Sequence, residues 1–127
     1  MKLSDQVEAA TGADRELDAL IAVATGGGYV DPDAPQSVKA HDTTGDWFVV
    51  VGSPPLDFYS PRRYSASIDA ALTLVPEAWQ MIDGQDVPER SFRRLTLNKG
   101  GFSPYFQGLA ATPALALCAA ALRARGL

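Results

Sequence analysis

The feature that most constrains this chain is the run Trp47-Phe48-Val49-Val50-Val51, in which every residue is aromatic or β-branched. Gly45 precedes the run, and residues 52–55 follow it with glycine, serine and two prolines. A short apolar run between such turn-forming residues predicts a buried β-strand. The fold therefore contains a β-sheet.

Three more strands are predicted in the second half of the chain, over residues 79–82, 92–97 and 102–107. The last two are joined by a turn with the sequence Asn-Lys-Gly-Gly, so they pair antiparallel. Two other segments are rich in residues such as Asp, Pro and Gly, and this composition predicts loops. These loops cover residues 29–46, with a short strand near Tyr29 and Val30, and residues 53–61.

Apolar spacing and end signals predict helices at both ends of the chain. Residues 4–10 form a short helix, and Asp14 caps a second helix over residues 15–24. Near the C-terminal end, Thr112 caps an alanine-rich helix that Pro113 opens. The apolar faces of these helices need a sheet face to pack against.

A third helix is predicted in the middle of the chain. Ser65 stands where an N-cap is expected, and Ile68, Leu72 and Val75 recur at i, i+4 and i+7 to form one apolar stripe. Pro76 ends the helix because proline cannot continue it. The order of elements predicts an α+β fold: one small antiparallel β-sheet with helices packed on both faces, an α/β/α sandwich. Residues 1–127 are interpreted as a single domain.

The overall charge argues against generic nucleic-acid binding. The formal net charge is −4, whereas a phosphate backbone is held mainly by excess Lys and Arg. The balance is uneven, since residues 1–57 sum to −7 and residues 58–127 to +3. One cysteine permits no internal disulfide, no apolar run is long enough for a membrane span, and residues 1–5 lack the hydrophobic core of a signal peptide. A cytoplasmic protein without membrane contact is expected.

The basic residues of the second half suggest an anion site. Arg62 and Arg63, interleaved with Tyr59 and Tyr64, can bind phosphate oxygens and stack on a base. Ser65 and the positive end of the helix that it caps would complete the site.

Arg94 is a further candidate because it lies beside another arginine on a predicted strand, where one of the pair must face the helices or an interface. The alternative is that these arginines form salt bridges with the abundant aspartates and cover the sheet.

Other candidates favour ordinary structural roles. His41 lies near several aspartates, but their spacing matches no cation-binding loop and no nucleophile motif accompanies the histidine. Cys118 lies on an apolar helix face and is interpreted as a core residue. Residues 26–28 are three glycines without the spacing of a phosphate-binding loop. No catalytic residue, metal site or cofactor is therefore predicted.

Four segments in the same order resemble the small phage proteins of the "phage ABA sandwich" family: residues 15–22 (RELDALIA), 63–71 (RYSASIDAA), 74–79 (LVPEAW) and 112–122 (TPALALCAAAL). The resemblance implies a phage or prophage origin and a sheet covered by helices on both faces. It brings no established reaction and no catalytic residues.

Two functions remain open at this stage, and an enzyme has less support than either. The first is a non-catalytic phage accessory protein in the host cytoplasm, a homo-oligomer that binds a small anionic nucleotide-like ligand. By analogy it would act as a sponge that sequesters a nucleotide immune signal in bacterial anti-phage defence. The second is an adaptor or structural phage component without a small-molecule ligand, with Phe102, Tyr105 and Phe106 as contact anchors.

Overall fold

The computed structural model describes residues 1–26, 34–52, 55, 57–76, 79–87, 92–99 and 102–127, and within the sheets some of these by their backbone alone. It divides the chain into two compact units. Unit 1 combines residues 1–13 with residues 64–127, and unit 2 is the inserted segment of residues 14–63. The single-domain interpretation stays a prediction.

Unit 2 is a three-stranded sheet with one helix. Helix α2 (Arg15–Ala24) begins where the Asp14 carboxylate accepts hydrogen bonds from the backbone N–H groups of Glu16 and Leu17. Strands β1 (Gln36–Ala40), β2 (Trp47–Val51) and β3 (Asp57–Tyr59) pair antiparallel in the order β1-β2-β3. Helix α2 packs against β1 and β2.

The pleat of β2 divides its side chains between two faces of the sheet. Val49 and Val51 are buried on one face. Phe48 and Val50 belong to the opposite face, because side chains alternate along a strand. The register places Phe58 of β3 opposite Val50, so this second face carries aromatic rings. Its rings are less covered, and Phe58 is 70% exposed.

Unit 1 is built around its last helix. It contains α1 (Leu3–Ala9), α3 (Ile68–Leu72), β4 (Trp79–Val87), β5 (Phe92–Lys99), β6 (Phe102–Ala110) and α4 (Pro113–Ala124). The strands pair antiparallel in the order β4-β5-β6, and α4 contacts α1, α3, β5 and β6. Residues 114–122 of α4 are all buried, as expected for a helix that is apolar on every side.

One glycine permits the close packing of α4 on the sheet. A Cβ atom at Gly108 of β6 would lie 1.9 Å from the Ala116 carbonyl oxygen of α4. Only a residue without a side chain fits between these two backbones. Small residues on both elements therefore set the distance between helix and strand.

The α+β class with antiparallel pairing is confirmed. The expectation of a single sheet is wrong, since the six described strands form two sheets of three. The caps of α2 at Asp14 and of α4 at Thr112 are confirmed by their side-chain hydrogen bonds. Among the described residues, no helix has both the length and the apolar character needed to cross a bilayer.

Two strands lie in segments that were interpreted as loops. Residues 36–40 contain only one β-branched residue, Val38, yet they pair along their whole length with β2. Residues 57–59 pair with the other edge of β2. Strand β1 depends on the strong central strand rather than on its own propensity, whereas β3 has two aromatic residues that favour a strand. The short strand expected near Tyr29 and Val30 lies outside the described residues.

The third helix differs from its prediction. It is only five residues long, and its N-cap is Ser67, whose hydroxyl accepts a hydrogen bond from Ala70 N–H. Ile68 and Leu72, expected in the core, are 46% and 45% exposed. The buried residues are Ala71 of α3 and Leu74, two residues after the helix, because α3 meets α4 through a different face from the one the i, i+4 pattern indicates.

Candidate functional site

The six predicted ligand residues are divided by the boundary between the units, which falls between Arg63 and Tyr64. Tyr59, Arg62 and Arg63 belong to unit 2, whereas Tyr64, Ser65 and Arg94 belong to unit 1.

In unit 1 the predicted residues lack most of the features that an anion site requires. Tyr64 is 4% exposed and Ser65 is 1% exposed, which leaves little surface for a ligand. The expectation that Ser65 caps the helix is wrong, because Ser67 does so. A helix of five residues also has little dipole to offer an anion. Arg94 pairs with Gln85 and Leu109 in the sheet, and its side chain lies outside the described part of the structure.

In unit 2 the predicted residues lie at a groove that the sequence did not indicate: Tyr59 lines it, and Arg62 and Arg63 lie beside it. The groove is open and has a volume of about 680 Å³. It lies where the β1–β2 turn meets the end of β3. Its lining combines four aromatic side chains with four polar residues: Trp47, Phe48, Phe58, Tyr59, His41, Thr44, Asp46 and Ser60.

Three rings of the groove lining, those of His41, Phe48 and Phe58, contact one another in series, edge to face. Phe48 and Phe58 have ring centroids 6.0 Å apart, and the centroids of His41 and Phe48 are 6.5 Å apart. Tyr59 is oriented by its hydroxyl, which donates to Gln36 Oε1 at 2.8 Å. These rings offer flat apolar surface of the kind that stacks on planar ligands.

A tight turn places the polar residues at the end of the groove. His41 N–H donates to the Asp46 carbonyl oxygen at 2.7 Å and closes the turn between β1 and β2. Gly45 has φ +70°, a conformation that glycine adopts without strain. The turn therefore holds His41 and Asp46 close together at the ends of their strands.

Arg15 of α2 links both rims of the groove. Its Nε donates to Asp46 Oδ1 at 2.9 Å, and Nη2 donates to the Pro61 carbonyl oxygen at 3.0 Å and to Ser60 Oγ at 3.3 Å. Its Nη1 donates to Asp18 Oδ2 at 2.8 Å, and that carboxylate is buried. The planar guanidinium thus holds the turn before β2 and the segment after β3 in one arrangement.

These contacts also control ionisation. Burial opposes the charge of Arg15, but the hydrogen bonds to Asp46 and Asp18 outweigh that effect and raise the pKa of Arg15. The pKa of Asp46 is lowered, first by the Arg15 hydrogen bond and then by the N–H of Trp47, with a smaller contribution from the positive charge of Arg63. Asp46 is therefore ionised at neutral pH, with positive charge nearby.

The other cations of unit 2 near the groove are two of the predicted ligand residues, Arg62 and Arg63. Arg62 and Arg63 are exposed and follow Ser60 and Pro61, which hold one rim. Neither arginine lines the groove itself. The sequence therefore identified Tyr59 in the lining and two arginines beside it, whereas Arg15 and the other three aromatic residues were missed. The clustering of Trp47, Phe48, Phe58 and Tyr59 at two strand ends was the available signal.

A second charged cluster, in unit 1, joins structural elements. Arg123 of α4 donates to Asp5 and to both oxygens of Glu8 in α1, and to the Gln107 carbonyl oxygen in β6. Glu8 also accepts from Leu109 N–H at 2.7 Å. The guanidinium therefore ties α1 to β6 and α4. A cleft of about 430 Å³ lies beside Arg123 and Asp5.

Four other predicted positions have structural explanations or side chains outside the described part of the structure. Cys118 is buried, and its Sγ donates to the Tyr64 carbonyl oxygen at 3.1 Å. Phe106 is half-buried against Trp79, with centroids 5.4 Å apart, so it is not the exposed anchor that was expected. The side chains of Phe102 and Tyr105 are outside the described part.

Comparisons with protein-family models, with curated proteins and with solved structures found no match to this chain. The resemblance to the phage ABA sandwich proteins stays a prediction. Across the described ranges, no three His, Cys, Asp or Glu side chains converge as a metal site would require.

Proposed function

We propose that this chain is a non-catalytic binding protein that holds a small, anionic, nucleotide-like ligand in the aromatic groove of unit 2. One observation carries the proposal: an open groove lined by four aromatic side chains adjoins a segment with two exposed arginines. A concave site with apolar walls and a few convergent polar groups is the usual form of a small-molecule site.

The two parts of the site suit the two parts of a nucleotide. A base stacked on an aromatic side chain gains about 1–3 kcal/mol, and Phe48, Phe58 and Tyr59 provide such surfaces. Arg62 and Arg63 supply guanidinium groups that bind phosphate oxygens in a bidentate manner. Unit 2 as a whole carries eight acidic and four basic residues, so these arginines, and not the overall field, must attract the anion.

The biological role that we propose follows the sequence resemblance. A phage or prophage protein that binds a nucleotide without cleaving it would sequester an immune signal in the host cytoplasm. Assembly into a homo-oligomer is part of the same proposal. Binding without hydrolysis is also part of the same proposal; Thr43 Oγ1 lies 3.2 Å from His41 Nδ1, but Thr43 does not line the groove.

Titration with a panel of mononucleotides and cyclic nucleotides tests the proposal. Isothermal titration calorimetry and thermal shift should reveal binding of at least one member, because a ligand that binds only the folded state raises the melting temperature. Heat should then release the ligand intact, as judged by mass spectrometry. A panel without any binding, or a cleaved product, contradicts the proposal.

Two sets of variants locate the site. Phe58→Ala should weaken binding about tenfold with little effect on stability, because the ring is 70% exposed. Leu72→Ala removes another exposed apolar side chain, from α3 in unit 1, and is its control. Arg62→Ala and Arg63→Ala should weaken binding and reduce its salt dependence, whereas Lys39→Ala, an exposed cation that does not line the groove, should not.

The adaptor function remains a second candidate because of Phe58. A large apolar side chain with this exposure is also suited to a protein contact. In that case Phe58→Ala abolishes capture of one stable protein partner, and nucleotides neither bind nor compete. Competition by a nucleotide for the same partner would instead favour the small-molecule site.

A further inference from the structure

We infer that Asp46 selects the ring edge of the ligand and that the groove prefers a guanine-type ring, which presents a carbonyl oxygen beside two adjacent N–H donors. The inference rests on the proposed function, since it names the ligand class of the same groove. It depends on which hydrogen-bonding atoms the fold has already used and which it leaves for a ligand.

The two carboxylate oxygens of Asp46 are in different situations. Oδ1 accepts from Arg15 Nε and from Trp47 N–H, both at 2.9 Å, which uses its two lone pairs. No donor among the described residues contacts Oδ2. The side chain is 44% exposed and lines the groove. Asp46 is thus held firmly through one oxygen, while the other can accept two hydrogen bonds from a ligand.

Two hydroxyl groups of the lining can donate hydrogen bonds to a ligand, whereas Asp46 Oδ2 can only accept them. Thr44 Oγ1 accepts from Asp46 N–H, and Ser60 Oγ accepts from Arg15 Nη2, both at 3.3 Å. Each hydroxyl has been used as an acceptor and retains its own O–H as a donor. The groove therefore offers donors from Thr44 and Ser60 and an acceptor from Asp46 Oδ2.

This pattern complements guanine better than the other bases. Guanine presents the acceptor O6 next to the donors N1–H and N2–H, so O6 can accept from a hydroxyl while both N–H groups donate to Oδ2. Adenine has an acceptor, N1, beside its amine, and uracil has a carbonyl on each side of its only N–H. Adenine N1 and the uracil carbonyls can accept from the hydroxyls of Thr44 and Ser60, but neither base presents two adjacent N–H groups on neighbouring ring positions to satisfy Oδ2. The aromatic walls provide stacking without distinguishing among bases.

Guanosine and inosine 5′-monophosphates form the first test, because they differ only in the N2 amine. The wild-type protein should bind guanosine monophosphate about tenfold more tightly, the size expected for one hydrogen bond to a charged group. Adenosine and uridine monophosphates should bind more weakly still. This comparison needs no variant, so it does not depend on the folding of a mutant.

Asp46→Asn is the second test. The amide oxygen can still accept from Arg15 Nε and Trp47 N–H, but an NH₂ donor replaces Oδ2, so the preference for guanosine over inosine monophosphate should disappear. The matched control is Asp42→Asn, which removes an exposed carboxylate from the same turn but outside the groove lining. It should leave the preference unchanged.

The outcomes separate this inference from the function on which it rests. If no nucleotide binds, both fail. If nucleotides bind but guanosine and inosine monophosphates bind equally, or if Asp46→Asn keeps the preference, the role of Asp46 is wrong while the binding function stands. A wild-type preference that Asp46→Asn removes and Asp42→Asn retains supports the inference.

Discussion

The packing of α4 on β6 leads to the sharpest prediction, for the substitution Gly108→Ala. The added Cβ would lie 1.9 Å from the Ala116 carbonyl oxygen and 2.9 Å from both Ala116 C and Ala120 N. Cβ atoms are essentially never found closer than 3.0 Å to such atoms, so α4 must retreat from β6 by about 1 Å. The obstacle is backbone, which cannot rotate away as a side chain can.

The cost follows from what else α4 touches. Its residues 114–122 are buried, and it contacts α1, α3, β5 and β6, so a shift of 1 Å loosens most of the core of unit 1. Overpacking costs typically 1–3 kcal/mol, and a clash with helix backbone should lie at or above the top of that range. We therefore expect Gly108→Ala to lower the free energy of unfolding by about 3–5 kcal/mol.

Tryptophan fluorescence can measure this in unit 1 alone. The chain has two tryptophans, Trp47 in unit 2 and Trp79 in unit 1, so Trp47→Phe leaves only the unit 1 reporter. In urea, the unfolding midpoint of Gly108→Ala should fall by about 2 M. Gly12→Ala is the control, because its Cβ would meet nothing within 4 Å and its φ is not positive. Gly12→Ala should unfold within ~0.5 kcal/mol of the parent, as neutral surface substitutions do. If Gly108→Ala also unfolds within ~0.5 kcal/mol of the parent, the packing argument is refuted.

Two further predictions concern the charged clusters. Arg15→Ala should destabilise unit 2 by about 2–3 kcal/mol, which is less than for an isolated buried ion pair because Asp18 has other interactions. The control variant Arg62→Ala, at an exposed residue, should change the stability little. Urea unfolding followed at Trp47 measures both variants, and equal effects would contradict the linking role of Arg15. Arg123 lowers the pKa of Glu8, so the stability from this pair should be present above the ordinary Glu value of about 4.5 and be lost as the pH falls through the lower folded value. Glu8→Gln should reduce this loss of stability at acid pH when unfolding is followed at Trp79, whereas the exposed-residue control Glu16→Gln should lose stability as steeply as the parent. A loss in Glu8→Gln as steep as in the parent would exclude the role of Glu8.

Much of the candidate site lay beyond sequence reasoning for a physical reason. Arg62 and Arg63 were identified from local composition, and both are exposed near the groove. Arg15 was not, because its partners Asp46, Ser60 and Pro61 are more than thirty residues away in the chain. Ser65 was mistaken for a cap because Ser65 and Ser67 both precede the same apolar residues, and local pattern does not show which serine adopts the N-cap conformation.

Local physics was enough to locate the elements that carry strong signals of their own. The caps at Asp14 and Thr112 and the β-branched strand at residues 47–51 depend on neighbours a few positions away, so the residue order reveals them. Long-range pairing alone created the strand at residues 36–40 and divided the six described strands into two sheets. The groove also exists only after folding, because its aromatic walls come from two strand ends that β-pairing and the fork of Arg15 bring together.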